Sequence, residues 1–334
     1  MQNRILLAHG SGGRLSHELV EKVFLPLLHN EFLSRLDDSA VLDLSGRVAF
    51  TTDSYVVNPI FFPGGDIGRL AVYGTVNDLA MSGARPLYLS VALIMEEGLP
   101  AEELHRVVTS VRDAAEEAGV KVVTGDTKVV NRGSADQLFI NTAGIGVVPE
   151  GVNVSGANAR PGDSIILSGT IGDHGIAVMS QREGLEFSTP VKSDCAPLHR
   201  MVADMLEVCA EIHCLRDPTR GGLASTLNEL AVQSGVGIAV EEEKIPVGDG
   251  VRAACELLGF DPLYVANEGK LVAAVPEEHA QRVLEKMRQD PHGAGAAIIG
   301  EAIAEHPRRV IMRTLLGARR VVDMLVGELL PRIC

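Results

Sequence analysis

The sequence predicts two domains that each combine helices with strands. The chain has 334 residues, which is enough for two domains of ordinary size with well-developed cores. In the first half, an apolar strand (Leu87–Met95), a helix (Ala101–Ala118) and a second strand (Lys121–Thr124) follow one another. Between Pro149 and Asp163 the chain becomes rich in Gly, Asn and Pro, which is typical of a domain boundary.

Composition and charge exclude several classes of protein. Hydrophobic residues make up 46% of the chain, yet no apolar run approaches the ~20 residues of a membrane-spanning helix. The apolar part of residues 1–10 is too short for a secretory signal, so a cytoplasmic protein is expected. Five cysteines without framework-like spacing fit a reducing compartment. The net charge of −14 argues against a general nucleic-acid surface, although a phosphate held through metal ions and backbone amides remains possible.

A glycine-rich stretch, His9–Gly13, precedes the helical pattern Leu15–Leu28. Glycine lets the backbone approach a ligand closely, and the N-terminus of a following helix offers unpaired amides to an anion. A flexible N-terminal arm explains the same stretch equally well. Both interpretations stay open for Gly10, Gly12 and Gly13.

Three aspartates of the first half lie near apolar elements. Asp38 belongs to an Asp-Asp-Ser-Ala-Val segment, Asp53 follows the strand-like run Val48–Thr52, and Asp78 lies on a helix over Gly68–Met81. A single aspartate at the end of an element is more often a cap or turn residue than a ligand. Three of them together indicate a divalent-metal site, because hard cations bind several carboxylate oxygens.

The strand Lys121–Thr124 opens into Gly125, Asp126, Thr127 and Lys128, an order of residues that indicates a nucleotide-handling loop. It is not a Walker A loop, because that spacing of glycines, lysine and hydroxyl is absent from the whole chain. Lys128 could be a surface lysine at a strand edge. Its place directly after Gly-Asp-Thr favours a phosphate or carbonyl partner.

The second half contributes two acids in loop contexts. Asp217 stands shortly before the glycine-rich start of a helix over Gly222–Ser234. Glu268 lies in a turn-like Asn-Glu-Gly context and by itself could be a loop acid with no task. Asn228-Glu229 on the helix faintly echoes Asn77-Asp78, which is weak evidence for an internal duplication.

Two other groups of residues favour ordinary structural interpretations. Cys209, His213 and Cys214 are close in sequence, but a zinc site would need a fourth ligand from elsewhere. Buried unpaired cysteines are the favoured interpretation. His174, in a glycine-rich turn, is interpreted as a loop residue.

The sequence ends in Pro-Arg-Ile-Cys, which puts a thiol on the last residue, Cys334. A thiolate is a strong nucleophile, and a tethered thiolate can travel between sites. Pro331 would end any helix continuing from Val321–Leu330, and residues 314–334 otherwise lack a core pattern, so we expect a mobile arm. A frayed terminus that happens to end in cysteine is the alternative.

Taken together, these motifs resemble the hydrogenase maturation factors of the HypE family, within the ATP-binding superfamily of aminoimidazole ribonucleotide synthetase. The internal motifs specify the superfamily, and the cysteine at the end specifies the member. The resemblance covers essentially the whole chain and rests on His9–Gly13, Asp37–Val41, Thr51–Ser54, Val76–Pro86, Val123–Val130, Asp217–Leu223, Asn267–Lys270 and the Pro-Arg-Ile-Cys end.

The resemblance implies an α+β, PurM-like fold in four parts. These are a glycine-rich arm and helix (1–36), an N-terminal ATP-binding domain that dimerises through a shared β-barrel (37–150), a C-terminal α/β domain (151–313) and a mobile tail (314–334). It further implies that magnesium on the ATP phosphates is held by Asp38, Asp53, Asp78 and Asp217. The nucleotide would also meet Gly10, Gly12, Gly13, Gly125, Asp126, Thr127 and Lys128.

The resemblance also implies the reaction. The carbamoyltransferase HypF would load Cys334 as an S-carboxamide, and this chain would use ATP to dehydrate it to a thiocyanate. The cyanide would pass to a HypC–HypD complex and become a ligand of the [NiFe]-hydrogenase iron. Phosphorylating the amide oxygen turns loss of water into loss of phosphate, with metal ions and Lys128 neutralising charge. Two protons must leave the nitrogen, and Glu268 is the candidate base, with Lys128 assisting.

Two other classes of protein remain as alternatives at this point. The first is another enzyme of the superfamily, such as selenophosphate synthetase or a small-molecule kinase. The former would be expected to carry a reactive cysteine near its N-terminus, whereas the first cysteine here is Cys195. The second is a non-catalytic thiol carrier, which would leave the acids and the Gly-Asp-Thr-Lys segment unexplained.

Overall fold

The computed structural model describes residues 4–11, 13–37, 39–185, 190–325, 327, 330 and 332–334. The N-terminal half forms a four-stranded sheet covered by helices on one face, and the predicted helical pattern after the glycines is confirmed. Its elements are α1 (Arg14–Leu19), a π turn (Val20–Phe24), α2 (Leu25–Leu28), β1 (Arg47–Tyr55), β2 (Phe61–Phe62), β3 (Gly65–Asp66), α3 (Ile67–Met81), β4 (Arg85–Glu96), α4 (Ala101–Ala118), β5 (Lys121–Val130) and β6 (Leu138–Val148).

The four-stranded sheet has the order β1-β6-β4-β5, with β4 and β5 parallel and the other neighbours antiparallel. Alternate residues of β6, such as Ile140 and Thr142, are buried towards α3. The opposite face is open in this chain and carries Phe50, which is 68% exposed, and Ile94, which is 40% exposed. The described strands therefore form an open sheet with an apolar outer face, and not a closed barrel.

Helix α3 is the central element of the molecule. It begins where the Asp66 side chain accepts hydrogen bonds from the backbone N–H groups of Gly68 (2.8 Å) and Arg69 (3.2 Å), an ordinary N-cap. The helix is buried along most of its length and packs on β1, β6 and α4. Gly74 allows this close packing, because a Cβ atom there would lie 2.2 Å from the Tyr55 hydroxyl.

The C-terminal half forms a seven-stranded sheet of order β13-β12-β9-β11-β7-β10-β8, in which only β9 and β12 pair in parallel among the described strands. Among the described residues, no helix has the length and apolarity needed to cross a membrane. The elements are β7 (Asp163–Leu167), α5 (Asp173–Glu183), α6 (His199–Val208), β8 (Cys214–Arg216), α7 (Gly222–Ser234), β9 (Gly237–Glu241), α8 (Asp249–Leu258), β10 (Val272–Pro276), α9 (Glu277–Met287), β11 (Ala297–Ile303), β12 (Val310–Arg313) and β13 (Arg319–Val322).

The prediction that residues 125–128 form a loop is wrong, because all four lie inside β5. Strand β4 continues alongside them and pairs Ala92 with Asp126 and Ile94 with Lys128. Gly125 permits this close pairing, since a Cβ atom there would lie 2.5 Å from the Val91 carbonyl oxygen. A glycine in a strand marks close backbone approach here, and not the end of the strand.

Three further predictions fail in the C-terminal half. Residues 319–322 form β13 and not the start of a helix over 321–330, because they pair with β12 and bury Val322 against the sheet. The predicted tail therefore includes a strand of the C-terminal sheet, and Pro331 lies outside the described residues. The predicted glycine-rich connection 293–300 runs into β11, and His174 lies buried in α5 instead of in a loop.

Candidate functional site

Side chains from both domains meet Cys334 in one small cavity, which we call the tail pocket. The cavity has a volume of about 160 Å³ and lies where β1 and α3 meet the segments after β8 and before β10. It unites the predicted residues Asp53, Asp78, Asp217, Glu268 and Cys334. Its lining residues are Thr52, Asp53, Gly74, Asp78, Asp217, Thr219, Arg220, Glu268 and Cys334.

A buried asparagine on α3 places two of the acids side by side. The Asn77 side chain donates to the carbonyl oxygens of Ala196 (3.0 Å) and Glu268 (3.3 Å) and accepts from the Leu198 N–H (2.8 Å). These bonds attach the C-terminal domain to α3 directly beside Asp78. The Asp78 carboxylate and the backbone of Glu268 are therefore held next to each other.

A second buried asparagine fixes the loop that carries Asp217. The Asn267 side chain donates to the Pro218 carbonyl (2.8 Å) and accepts from the Gly172 N–H (2.7 Å). Its own N–H donates to the Pro218 carbonyl at 3.2 Å. Since Asp217 and Glu268 are the chain neighbours of these two residues, the same bonds bring both acids to one wall of the tail pocket.

The acids of the tail pocket destabilise one another's charged forms. Burial and then the charge of Asp78 raise the pKa of Asp217, and the pKa of Asp78 is raised by burial and then by Asp53. Burial, followed by Asp217 and Asp194, raises the pKa of Glu268 well above its usual value. An arrangement of this kind stabilises a bound cation.

Glu268 presents an acceptor without a donor. The residue is 5% exposed, and within the described parts of the chain no hydrogen-bond partner reaches its buried Oε1 atom. Its N–H donates to Asp194 Oδ1 at 3.0 Å, and the other oxygen of Asp194 lies 3.3 Å from the Lys270 ammonium. The backbone of Glu268 is thus held while its carboxylate oxygen remains available to a ligand.

The segment ending at Cys334 enters the tail pocket along the chain that follows β1. The N–H groups of Val56 and Asn58 donate to the carbonyls of Cys334 and Arg332, both at 3.2 Å, and the Ile333 side chain is buried. Burial and then the charge of Glu268 raise the pKa of the Cys334 thiol to about 12. Inside the pocket this sulfur is therefore protonated and a poor nucleophile.

A second cavity lies on the same face of the sheet at the other edge. We call it the apolar pocket; its volume is about 270 Å³, and it lies between the N-terminal helices and β4 and β5. Phe24, Leu28 and Phe32 are among the apolar residues of its wall, while Asp37, Gly125, Asp126 and Thr127 supply its polar part. An apolar cleft with polar groups on one side suits a planar base that carries phosphates.

Lys128 lies apart from both pockets. Its ammonium group is 3.0 Å from Asp126 Oδ1, and its side chain is 62% exposed. Neighbouring Ile94 on β4 belongs to the open face of the sheet, so Lys128 projects from that face, away from α3. The tail pocket of the same chain does not include it among the described residues.

The remaining predicted residues have the following positions. Gly10 ends a 3₁₀ turn against β5, where a Cβ atom would lie 2.5 Å from the Val129 nitrogen, and Gly13 precedes α1. Gly12 and Asp38 lie outside the described residues. Cys209 and Cys214 are buried, as predicted. Within the described ranges, no three His, Cys, Asp or Glu side chains converge as a preformed metal site would require.

Several residues of the site were missed at the sequence level. Asn77 and Asn267 each stand directly before an acid of the tail pocket, and this repeated Asn-acid pair was a signal in the sequence. Arg220 lies 3.2 Å from Asp53, and its pKa is raised by electrostatic interaction with Cys334 and then with Asp53. Its role depends on two strands and a loop meeting in space, which no local pattern reveals.

The fold and the paired pockets define an AIR synthase-related protein. The family models for the N-terminal and C-terminal domains of AIR synthase related proteins match residues 36–148 and 160–313. Within that class, the chain belongs to the HypE family of hydrogenase maturation proteins. It is 58% identical to the carbamoyl dehydratase HypE of Azotobacter vinelandii over 329 residues, which cover 98% of this chain and 96% of the relative.

Solved structures agree with this assignment. A hydrogenase maturation protein HypE in complex with ATP shares 54% identity with this chain, with a TM-score of 0.95 over 98% of this chain and 99% of the other. The HypE of a HypE–HypF complex shares 51% identity, with a TM-score of 0.82 over 92% of this chain and 99% of the other. The predicted family is confirmed.

The raised pKa of Cys334 predicts how its docking depends on pH. The pocket holds the protonated thiol with a pKa of about 12, whereas a free thiol titrates near ~8.5. Docking should therefore be strongest below about pH 8.5 and weaken about tenfold for each further pH unit. At pH 8 a thiol with a pKa of about 12 holds roughly a thousandfold less thiolate than a free one. Iodoacetamide labelling at that pH, read by peptide mass spectrometry, should therefore be about a thousandfold slower than for the free peptide of residues 325–334. Equal rates would contradict the docked, protonated thiol.

Proposed function

We propose that this chain is an ATP-dependent carbamoyl dehydratase that converts an S-carboxamide on Cys334 into a thiocyanate. The cyanide would become a ligand of the [NiFe]-hydrogenase iron. The observation that carries the proposal is that Cys334 shares the tail pocket with Glu268, whose Oε1 atom has no donor among the described residues. The family and the ATP complex of a relative support this function over a selenophosphate synthetase, a small-molecule kinase or a thiol carrier.

Glu268 is the proposed base. An S-carboxamide on Cys334 would bring two N–H donors into a pocket where the free acceptor is Glu268 Oε1. A carboxylate with a raised pKa takes a proton more readily than an ordinary one, so burial strengthens Glu268 as a proton acceptor. Once the carboxamide oxygen has been phosphorylated by ATP, removal of both nitrogen protons and departure of phosphate leave the nitrile on sulfur.

Magnesium is the proposed companion of ATP. The donor set fits, because Asp53, Asp78 and Asp217 offer hard carboxylate oxygens, and the last two are crowded enough to gain from a cation. Mg²⁺ is usually held by one or two carboxylates with waters and phosphates, so a preformed three-ligand cluster is not required. Bound there, the ion would offset negative charge on the phosphates as one of them is transferred.

The nucleotide is proposed to place its base in the apolar pocket. That cavity combines an apolar wall with Asp126 and Thr127 at its polar side. Asp53 and Gly125 occupy matching positions at opposite edges of the sheet, through Thr142 and Val91. Three strand spacings make the separation about 14 Å, so the two pockets of one chain lie far apart.

A second copy of the chain would bring an apolar pocket and a tail pocket close together. We infer a homodimer in which two open sheets close into a shared barrel, so that β5 of one copy meets β1 of the other. The apolar outer face with Phe50 and Ile94 would be buried by that closure. Lys128 lies on β5, so the same closure would bring it beside β1 of the second copy, whose Thr52 and Asp53 line the tail pocket, and there its ammonium group would help neutralise the transferred phosphoryl group.

The tail is proposed to leave its pocket between steps. A protonated, buried thiol is a poor acceptor for a carbamoyl group, so loading by HypF requires an exposed Cys334. A cavity of about 300 Å³ lies beside the segment, lined by Leu325, Leu330 and Ile333 among others, so there is open space next to the docked tail into which it can move. HypC–HypD is the proposed acceptor of cyanide. The five unpaired cysteines fit a cytoplasmic setting.

Glu268→Gln tests the chemistry. With HypF and ATP, the variant should bind ATP and gain the carboxamide on Cys334 but fail to lose one water, because the amide cannot accept the nitrogen protons. Mass spectrometry of the peptide carrying Cys334 would measure carbamoylation and dehydration separately. The rate of dehydration should fall at least ~10²-fold. Glu256→Gln, an exposed change on α8, is the control. Normal dehydration in Glu268→Gln would require another base.

Asp78→Asn tests the metal. Removing one carboxylate should weaken Mg·ATP binding by about tenfold or more, because a hard cation loses a charged ligand. Calorimetric titration of ATP at several magnesium concentrations would show the loss, and Asp113→Asn on the exposed side of α4 serves as the control. Unchanged affinity at low magnesium would exclude Asp78 as a ligand.

Mixing two inactive variants tests the shared site. If Lys128 acts across the dimer, Lys128→Ala and Glu268→Gln subunits should be inactive alone yet form mixed dimers with one intact site. An equal mixture should regain about a quarter of wild-type dehydration, because half of the dimers are mixed and each has one working site. If Lys128 acts within its own chain, no activity should return. Subunit exchange would be confirmed by native mass spectrometry.

A further inference from the structure

Besides the bonds from the Val56 and Asn58 N–H groups, side chains of the described residues hold the segment ending at Cys334, and one of these contacts joins it to a chain of buried groups. The Arg182 guanidinium donates to the Arg332 carbonyl at 2.6 Å and to the Asn58 carbonyl at 2.7 Å. The Arg332 side chain pairs with Asp136. The remaining carbonyl, that of Ile333, lies 2.8 Å from His174 Nε2.

His174 is fully buried in α5 and contacts three parts of the molecule. Its Nδ1 lies 2.8 Å from Ser193 Oγ, and Ser193 Oγ accepts from the Cys195 N–H at 3.1 Å. The Ser193 N–H in turn donates to the Pro63 carbonyl in the N-terminal half at 2.8 Å. The Phe62 ring stands edge-on to the imidazole at 5.3 Å.

The hydrogen bonds specify one tautomer of His174. The Ile333 carbonyl can only accept, so Nε2 must carry the proton that it receives. In a neutral ring Nδ1 then accepts, and the Ser193 hydroxyl is the donor. Burial lowers the pKa of His174, which keeps the ring neutral and the arrangement intact.

This contact differs from that of a histidine that only stabilises a core. The Nε2–H group of His174 donates to the peptide carbonyl directly before Cys334. The proposed function requires this segment to leave the pocket and return. It recognises a backbone carbonyl, while the buried Ile333 side chain supplies apolar contact beside it. A misplacement of the reacting group by ~1 Å can cost about 10² in rate. A fixed donor at this position therefore determines where the sulfur lies.

We propose that His174 is a positioning residue, set in its tautomer by Ser193, that holds the Ile333 carbonyl and so places the group on Cys334 against Glu268. This inference rests on the proposed dehydratase function. In the part of the chain that the structure describes, both ring nitrogens of His174 are occupied, by Ser193 and Ile333, so its proposed role is to position the tail and not to take part in the chemistry.

The test combines a labelling measurement with single turnover of the full chain. His174→Phe keeps a ring against Phe62 but removes the donor, so the docked state should lose about the value of one hydrogen bond. Iodoacetamide should then label Cys334 about five- to tenfold faster at pH 8. Dehydration of the protein already carbamoylated by HypF should slow by at least the same factor, with ATP affinity unchanged. His174→Gln, whose amide nitrogen can replace Nε2, should restore both towards wild type.

Ser193→Ala should also make Cys334 labelling faster and dehydration slower, but by less than His174→Phe does, because the ring keeps its donor and only the preference for one tautomer is lost. His199→Phe on α6 is the matched control, since within the described residues the Nδ1 atom of His199 has no hydrogen-bond partner and it makes no bond to the tail. Wild-type labelling and turnover in a folded His174→Phe would overturn the proposal, as would a folded Gln variant no better than Phe. The labelling measurement does not depend on dehydration. If the wild-type chain failed to dehydrate the carboxamide, the proposed function would be refuted, while labelling would still test whether His174 holds the Ile333 carbonyl.

Discussion

Crowding of carboxylates around a buried sulfur is the constraint on which the site depends. Asp78, Asp217 and Glu268 come from three separate segments, and each becomes harder to ionise as the others approach. Folding tolerates this because two buried asparagines hold the backbones with several hydrogen bonds. The outcome is a pocket that favours cations and neutral ligands, and that keeps a bare thiol protonated.

The same constraint accounts for the use of a tethered substrate. A pocket of this charge repels a thiolate, but a neutral carboxamide can enter and donate to Glu268. Supplying it on the protein's own chain gives a high local concentration without requiring strong intrinsic affinity. Binding through backbone groups, from Val56, Asn58, Arg182 and His174, lets the segment dock irrespective of what the sulfur carries.

Helix α3 connects these features. One residue of it, Asn77, binds the C-terminal domain, and the next, Asp78, lines the tail pocket. Gly74 lets the helix lie against Tyr55 of β1, which brings Asp53 to the same cavity. A shift of α3 would therefore displace the metal-binding candidates, the proposed base and the docking strand together. The arrangement explains why the site needs both domains and cannot belong to either alone.

The sequence by itself determined the elements with strong periodicity and the residue types of the chemistry. The amphipathic helix Ala101–Ala118, the strands of the first sheet and the aspartates Asp53 and Asp78 could be found this way, because side-chain period and charge are local properties. Asp217 and Glu268 became candidates only through the family resemblance, since nothing in their local sequence distinguishes them from ordinary loop acids. The glycines led to wrong predictions of a loop at residues 125–128 and of a connection over residues 293–300. A glycine can also lie within a strand where a neighbouring strand packs closely, and the local sequence does not show that neighbour.

Only the tertiary structure decided what these residues meet. The cavity shared by Cys334 and Glu268, the contact of His174 with Ile333 and the separation of Lys128 from the tail pocket all arise from packing between segments more than sixty residues apart. A sequence records which groups are present, but their pKa values and partners depend on burial and on distances across the fold. Those quantities exist only once the two domains and the tail have assembled.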